Sequence, residues 1–422
     1  MDTSAVSAVI SVILSIALIF SVVTGILFWG LPQIERTKAE TSVAAMFNQM
    51  FMAADSVEDM IQDANQSTRQ FEFILQEGSF SVDSIGDRFV VLYSFDSNYN
   101  FTVSDIGDPD RKFSVSMISY PPGFMLDKLV VFRFINQPSV STFRQPNVDQ
   151  VMDGSNIQFT WGTAGYVSFS YKLENFNPHW SSWIMTDKAT YRDLPDGSYI
   201  FRRQQKDTSL IISEVEPIPF SVVEGYIIPP EKVNPINIGS DIYVIPCSNP
   251  INCTHRIDLY DAGSGPSPYL FGRIFVFDLG YLDCSFPTSS GTYGIIMENN
   301  AILSMVPEGH SLKREPIFSF KDNQFSCRII QYKNSGFSVG GNSYGKFSLG
   351  FTLEENYVRE LYTNITNTKI QVYGLYNDIW IDYFIHTYGF SQVVDSPPTL
   401  LCPQSGSTMN KLVLTQSLFS IS

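Results

Sequence analysis

Clustered carboxylates are the residues in this sequence whose types and spacing could carry chemistry. Asp105, Asp108 and Asp110 lie close together in DIGDPDRK, and carboxylate oxygens are ligands that Ca²⁺ prefers. Their spacing is not that of an EF-hand loop, so a solvated turn is the simpler interpretation. Asp258 and Asp261 form a second pair, which could serve in acid–base catalysis only if other polar groups converge on it.

Other signatures of chemistry are weak. The sequence has no complete Walker A loop, no G-x-G-x-x-G and no H-E-x-x-H motif. Its histidines are scattered along the chain, at His179, His255, His310 and His386. We therefore expect a protein that is not an enzyme, with no catalytic residue, no metal site and no cofactor.

The composition favours a large, well-packed, β-rich protein. The chain has 422 residues, of which 14% are aromatic and 16% are charged. This length is enough for two or three domains with cores of their own. The net charge of −15 argues against nucleic acid as a partner, because phosphate contacts need clustered lysine and arginine.

Cysteines and glycosylation sequons place most of the chain outside a cell. The cysteines lack CxxC spacing, which favours one or two disulfides, with an odd thiol left over, among Cys247, Cys253, Cys284, Cys327 and Cys402. Asn-x-Ser/Thr sequons mark four candidate glycosylation sites, at Asn65, Asn100, Asn252 and Asn364.

The N-terminal segment carries no charge from residue 5 to residue 30 and is long enough to cross a membrane. As a helix, residues 5–29 would span about 37 Å, against a hydrocarbon core of about 30 Å. An acidic start and a long apolar run argue against a secretory signal peptide. A permanent anchor and a helix that packs in a filament both stay open. The residues expected in this membrane or assembly helix are Ala5, Val9, Ile13, Leu14, Ile16, Leu18, Phe20, Ile26 and Phe28.

The signals for membrane orientation oppose one another. Arg36 and Lys38 follow the span, which by the positive-inside rule would keep the C-terminal region inside. Long domains cross membranes largely regardless of flanking charge, and the sequons and cysteines point outward. We expect a single-pass cell-membrane protein with an extracellular C-terminal region. The sequence does not indicate which extracellular ligand this region binds.

An apolar heptad stripe follows the span on a helix from about residue 35 to residue 66. Its members are Val43, Phe47, Met50, Ala54, Val57 and Ile61. The stripe could pack on the protein's own body, or it could continue the span as one long helix that Pro32 bends near the membrane surface.

The first segment, AVSAVISVIL over residues 5–14, resembles the start of archaeal type IV pilin-like proteins, which read (basic)-x-V-S-x-V-I-G-x-x-L. The resemblance implies processing by a prepilin peptidase and assembly with other pilin-like subunits. Ser4 stands where the family has its basic residue, and the glutamate that many pilins use for docking is absent.

Alternating apolar residues predict antiparallel strands through most of the remaining sequence. Residues 71–95 are expected to form a meander, FSVGGNSYGKFSLGFTL a hairpin, and residues 377–388 a late helix capped by Asp378. The order of Glu298-Asn299-Asn300-Ala301, Glu315-Pro316-Ile317-Phe318 and the segment Trp380 to Phe384 resembles that of some secreted haloarchaeal pilin-like proteins. The resemblance implies one β-rich head formed by residues 67–136 and 226–422.

Residues 137–225, between the two parts of this head, resemble a fibronectin type III-like β-sandwich. The resemblance rests on Phe159-Thr160-Trp161, Trp180-Ser181-Ser182-Trp183 and the segment from Tyr191 to Phe201. Trp161, Tyr171 and Trp183 are large core residues for a small sandwich. The resemblance implies a spacing or binding module.

The expected fold class is mainly β with one long N-terminal α-helix, pilin-like, with an antiparallel β head and an immunoglobulin or fibronectin III-like sandwich. Residues 1–66 would form the helix. The expected function is that of a type IV pilin-like surface protein for adhesion or filament formation. The alternative is a permanently anchored binding or sensor ectodomain that does not polymerise.

Overall fold

The computed structural model describes most of the chain. The described residues are 3–63, 66–75, 77–84, 86–105, 113–135, 144–145, 148–153, 156–174, 176–177, 179–195, 197–214, 218–223, 226–228, 231–233, 236–238, 241–244, 255–263, 269–334, 337–341, 345–363, 365–395, 398–401, 409 and 411–422. Asn65, Asp108, Asp110, Cys247, Asn252, Cys253, Asn364 and Cys402 lie outside them.

Two helices are described, α1 over Thr3–Met60 and α2 over Asn377–Tyr388, with a short 3₁₀ turn at Leu126–Lys128. α1 continues through Pro32 and ends six residues before the predicted end at residue 66, since Ile61 and Gln62 form a turn. α2 has the predicted bounds. Its cap differs from the prediction, because Tyr376 is the N-cap residue and Asp378 lies inside the first turn.

The strands are numbered along the chain. The first body segment contains β1 Thr68–Leu75, β2 Gly78–Asp83, β3 Arg88–Ser94, β4 Asn100–Asp105, β5 Phe113–Ser119 and β6 Leu129–Ile135. The middle segment contains β7 Arg144–Gln145, β8 Val148–Asp153, β9 Asn156–Thr160, β10 Tyr166–Glu174, β11 Lys188–Tyr191, β12 Gly197–Asp207, β13 Ile212–Glu214, β14 Ile218–Val223 and β15 Tyr226–Ile228. The last segment contains β16 Glu231–Val233, β17 Ile236–Ile238, β18 Asp241–Val244, β19 His255–Asp261, β20 Tyr269–Asp278, β21 Tyr281–Thr288, β22 Gly291–Glu298, β23 Ala301–Val306, β24 Gly309–Arg314, β25 Phe318–Lys321, β26 Gln324–Asn334, β27 Phe337–Gly341, β28 Gly345–Thr363, β29 Thr366–Tyr373, β30 Ser391–Asp395, β31 Pro398–Leu401 and β32 Lys411–Ile421.

Four sheets are built from strands of the first and last segments. Two of them, β24-β23-β22-β21-β2-β27 and β1-β28-β32-β26-β25, share a core with the second half of α1. An eight-stranded sheet, β16-β6-β19-β20-β3-β29-β31-β30, shares a second core with α2. Its other face packs on β17-β18-β5-β4. The fold is therefore mainly β with one long N-terminal helix, as predicted, although β26 and β32 run parallel.

The predicted meander and hairpin are both wrong. β1, β2 and β3 belong to three different sheets. β27 pairs with β2, whereas β28 pairs with β1 and β32, so β27 and β28 are not partners. The β1–β2 and β27–β28 segments instead run side by side, so that β1 pairs with β28 in one sheet and β2 pairs with β27 in another. Alternation of apolar residues sets which face of a strand is buried, but it does not select the neighbouring strand.

The turn at Asn299 and Asn300 joins β22 to β23 in a hairpin, as predicted. Both residues have left-handed backbone angles, with φ of 49° and 60°, which asparagine tolerates better than most residues.

Strands of the middle segment form two facing sheets, β10-β12-β14-β15 with β13, and β11-β9-β8-β7. Their shared core contains Trp161, and the rings of Phe159 and Phe201 stack at 3.9 Å between centroids. β15 extends this unit beyond the predicted boundary at residue 225. Ile200 of β12 packs with Phe132 and Tyr260 of the neighbouring sheet, which joins the sandwich to the rest of the body.

Candidate membrane helix and the surface that holds it

The first half of α1 projects an apolar surface that no described part of the body covers. Every side chain from residue 11 to residue 29 is exposed or nearly so, and Trp29 is 80% exposed. An 18-residue window of this helix has a mean hydropathy of 2.5 and no buried residue. By length and composition, α1 could cross a membrane. The predicted residues Ile13, Leu14, Ile16, Leu18, Phe20, Ile26 and Phe28 all lie on this exposed half.

Two serine hydroxyls in this half are hydrogen-bonded within the helix. The Ser15 hydroxyl donates to the Ser11 carbonyl at 2.9 Å, and the Ser21 hydroxyl donates to the Ala17 carbonyl at 2.8 Å. These bonds remove the need for water, which suits an apolar environment.

The second half of α1 packs on the protein's own β-sheets. Met50, Ala54, Val57 and Ile61 of the predicted stripe are buried, and Val43 and Phe47 lie at the edge of the same core. The buried surface is wider than the predicted stripe, because it also includes Ala39, Ser42, Met46, Ala53 and Met60. Both interpretations of the stripe hold in part, because it packs on the body and it also continues the apolar segment in one unbroken helix.

Polar contacts hold this half of the helix at both ends. Near the start, the Glu35 carboxylate accepts from the Ser289 backbone N–H at 3.1 Å and from its hydroxyl at 2.6 Å. Near the end, the Arg314 guanidinium bonds Asp55 and also Glu58, the latter at 2.8 Å, and lies over the ring of Phe51. The side chain of Arg314 is only 11% exposed, so this ion pair is better shielded than a typical surface pair.

Comparison with known proteins adds no relative. No protein-family model matches the chain, and no curated protein matches it.

A buried carboxyl pair lies beneath α2. Glu298 accepts from Trp380 Nε1 at 2.9 Å and from the Asp87 backbone N–H at 2.8 Å. Asp87 in turn accepts from the Tyr376 N–H at the start of α2. Burial raises the pKa of Asp87 to about 7. Burial, reinforced by the charge of Asp87, raises the pKa of Glu298 well above its usual range. Sequence reasoning missed this pair, because the two residues are far apart in the chain.

Asp258 and Asp261 do not converge on a shared site. Asp258 is held by Arg273, with Nε–Oδ1 at 2.7 Å and Nη2–Oδ2 at 3.1 Å. Asp261 accepts from the Tyr99 hydroxyl at 2.7 Å and from the Gly263 N–H at 2.7 Å. Both carboxylates are buried and bonded, which is the arrangement of structural groups.

The described histidines and cysteines also stay apart. His179 lies in the loop between β10 and β11, His310 in β24 and His386 in α2, and all three are exposed. Cys284 and Cys327 are buried free thiols, so the predicted disulfides do not involve them, and the remaining three cysteines are undescribed. Burial raises the pKa of both thiols. Among the described residues, no three His, Cys, Asp or Glu side chains could hold a metal ion together.

The sequence between β27 and β28 contains a pattern found in serine hydrolases. Residues 341–345 read G-N-S-Y-G, which matches the G-x-S-x-G pattern of serine hydrolases. That pattern works on a strand-to-helix turn, whereas the chain here connects β27 to β28. Its serine lies outside the described residues, and the strand-to-strand context speaks against a nucleophile elbow.

Among the candidate glycosylation sites, only Asn100 is described. It is half-buried, and its Oδ1 accepts from Lys369 Nζ at 2.5 Å.

Proposed function

We propose that this protein is a type IV pilin-like structural protein of the cell surface, which is anchored or assembled through α1. One observation carries the proposal. A single helix has an entirely exposed apolar half and a second half that is built into a large β body. Burial of the exposed half in lipid, or against copies of itself, would remove a large apolar surface from water.

The contacts along the second half support a rigid connection. Glu35 bonds the β21–β22 turn, Arg36 approaches Glu308 in the β23–β24 turn at 3.5 Å, and Arg314 bonds the helix within its last two turns. The β body would thus stand directly at the membrane surface or at the shaft of a filament. In this proposal the β body is extracellular, and this orientation is inferred from the glycosylation sequons and the cysteines.

A permanently anchored ectodomain that does not polymerise is the second candidate. It is favoured by exposed apolar residues at the tip of the β12–β13 hairpin, where Leu210, Ile211 and Ile212 are 69%, 64% and 53% exposed. Such a tip on a sandwich domain suits contact with another molecule.

Mapping the N-terminal peptide of the protein from native membranes separates the two candidates. A mature chain that begins near Ala5 would support processing and assembly, and electron microscopy should then find filaments. A chain that keeps residues 2–4 in the membrane fraction would favour the permanent anchor. Recovery of the full chain in the soluble fraction after alkaline extraction would contradict both.

A further inference from the structure

A groove lies where α1 leaves the body. Two adjoining cavities of about 650 and 500 Å³ share Ile34, Lys38, Ser42 and Glu77 in their walls. The larger one opens toward Trp29, and the smaller one reaches Phe286 beneath the β21–β22 turn. Each volume falls in the range of small-molecule sites.

The groove is apolar at one end and charged at the other. Trp29 and Ile34 line the side nearer the exposed half of the helix, whereas Lys38 and Glu77 lie on the side nearer the body. Both charged side chains are exposed, and neither forms an ion pair with another described residue. The neighbouring Glu35 carboxylate is already bonded to Ser289.

The level of the groove matches a membrane interface. Ile34 is the last residue of the apolar run and Glu35 is the first charge after it. Exposed tryptophan is enriched at this depth, and lysine next to a span reaches toward lipid phosphates.

Building on the proposed membrane function, we propose that this groove binds one phospholipid with an ammonium-bearing headgroup. The phosphodiester lies against the Lys38 ammonium, and the headgroup ammonium lies against the Glu77 carboxylate. The acyl chains then run past Trp29 along the exposed half of α1. A headgroup with a phosphate and no ammonium would leave Glu77 facing an anion.

The test uses the full chain in nanodiscs that contain equal amounts of phosphatidylethanolamine and phosphatidylglycerol. After transfer to mild detergent, native mass spectrometry counts the lipids that stay bound. We expect one phosphatidylethanolamine to be retained at least fivefold more often than phosphatidylglycerol. Glu77→Gln should abolish that preference, and Lys38→Gln should lower the retention of both lipids. Lys321→Gln, an exposed lysine on β25, should leave both the retention and the preference unchanged.

Two results would overturn the inference. One is equal retention of both lipids by the wild-type chain, and the other is a preference that survives Glu77→Gln. If the wild-type chain failed to enter nanodiscs at all, the membrane proposal would fall and this inference with it. Entry without selective retention would remove the lipid site alone.

Discussion

The carboxylate of Glu35 accepts two hydrogen bonds from Ser289, one from its backbone N–H and one from its hydroxyl. Glu35 is the first charged residue after the apolar run, and Ser289 lies in the tight turn between β21 and β22. The body therefore contacts α1 at the residue where the helix changes from apolar to polar.

Removing this contact should loosen the turn. In Glu35→Ala, the Ser289 amide loses its acceptor, so its hydrogen exchange should become several-fold faster. Asp382→Ala, on the exposed side of α2, is the control and should leave the rate unchanged. Equal exchange in wild type and Glu35→Ala would show that the contact does not persist in solution.

The packed half of α1 should tolerate substitution very unevenly. Met50 is fully buried, whereas Met52, two residues later, is 69% exposed. Met50→Ala should lower the free energy of unfolding by about 2–5 kcal/mol, because it leaves a cavity in the core shared with β21 and β22. Met52→Ala should change it by less than about 0.5 kcal/mol. Denaturant titration in detergent measures both, and similar losses would contradict packing on the body.

The Asn299–Asn300 turn offers a second matched comparison. Asn299 is buried with φ of 49°, and its Oδ1 accepts from the Ile330 N–H at 2.6 Å. Asn323 has a similar φ of 60° but is exposed. Asn299→Ala should cost about 2–4 kcal/mol, from backbone strain plus a lost buried acceptor. Asn323→Ala should cost about 1–2 kcal/mol, from strain alone. Thermal unfolding of both variants checks the difference.

Stability should fall as the pH rises from about 4 towards neutrality. The pKa of Asp87 is raised by burial to about 7, and that of Asp283 to about 6, so the folded protein holds protons that the unfolded chain releases. Each such proton adds a slope of up to about 1.4 kcal/mol per pH unit between the unfolded and folded pKa values. The stabilising effect is complete below about pH 4 and is lost above pH 7.

Asp87→Asn tests the assignment of this slope. The amide oxygen can still accept from the Tyr376 N–H without carrying a charge. The variant should match wild type below about pH 4, exceed it in unfolding free energy at pH 8, and show a shallower dependence between them. If the unfolding free energies of the two proteins changed with pH in the same way, groups other than Asp87 would cause the slope.

Local sequence patterns predicted helices and strands far better than they predicted strand pairing and long-range contacts. The uncharged run from residue 5 and the spacing of Trp380, Ile381 and Phe384 led directly to α1 and to the buried face of α2. Such patterns did not predict which strands pair. The apolar residues of β27 and β28 alternate as in a hairpin, yet the two strands belong to different sheets. The Glu35–Ser289 contact and the Asp87–Glu298 pair join residues more than 200 positions apart, so only the folded chain brings them together.

Labelling with a photoreactive acyl-chain phospholipid in native membranes tests the central claim most directly. Tryptic cleavage after Arg36 and Lys38 separates the exposed half of α1 from the packed half. The account predicts adducts on peptides from residues 11–34 and none on residues 39–61. Equal labelling of the two halves, or none on residues 11–34, would contradict it.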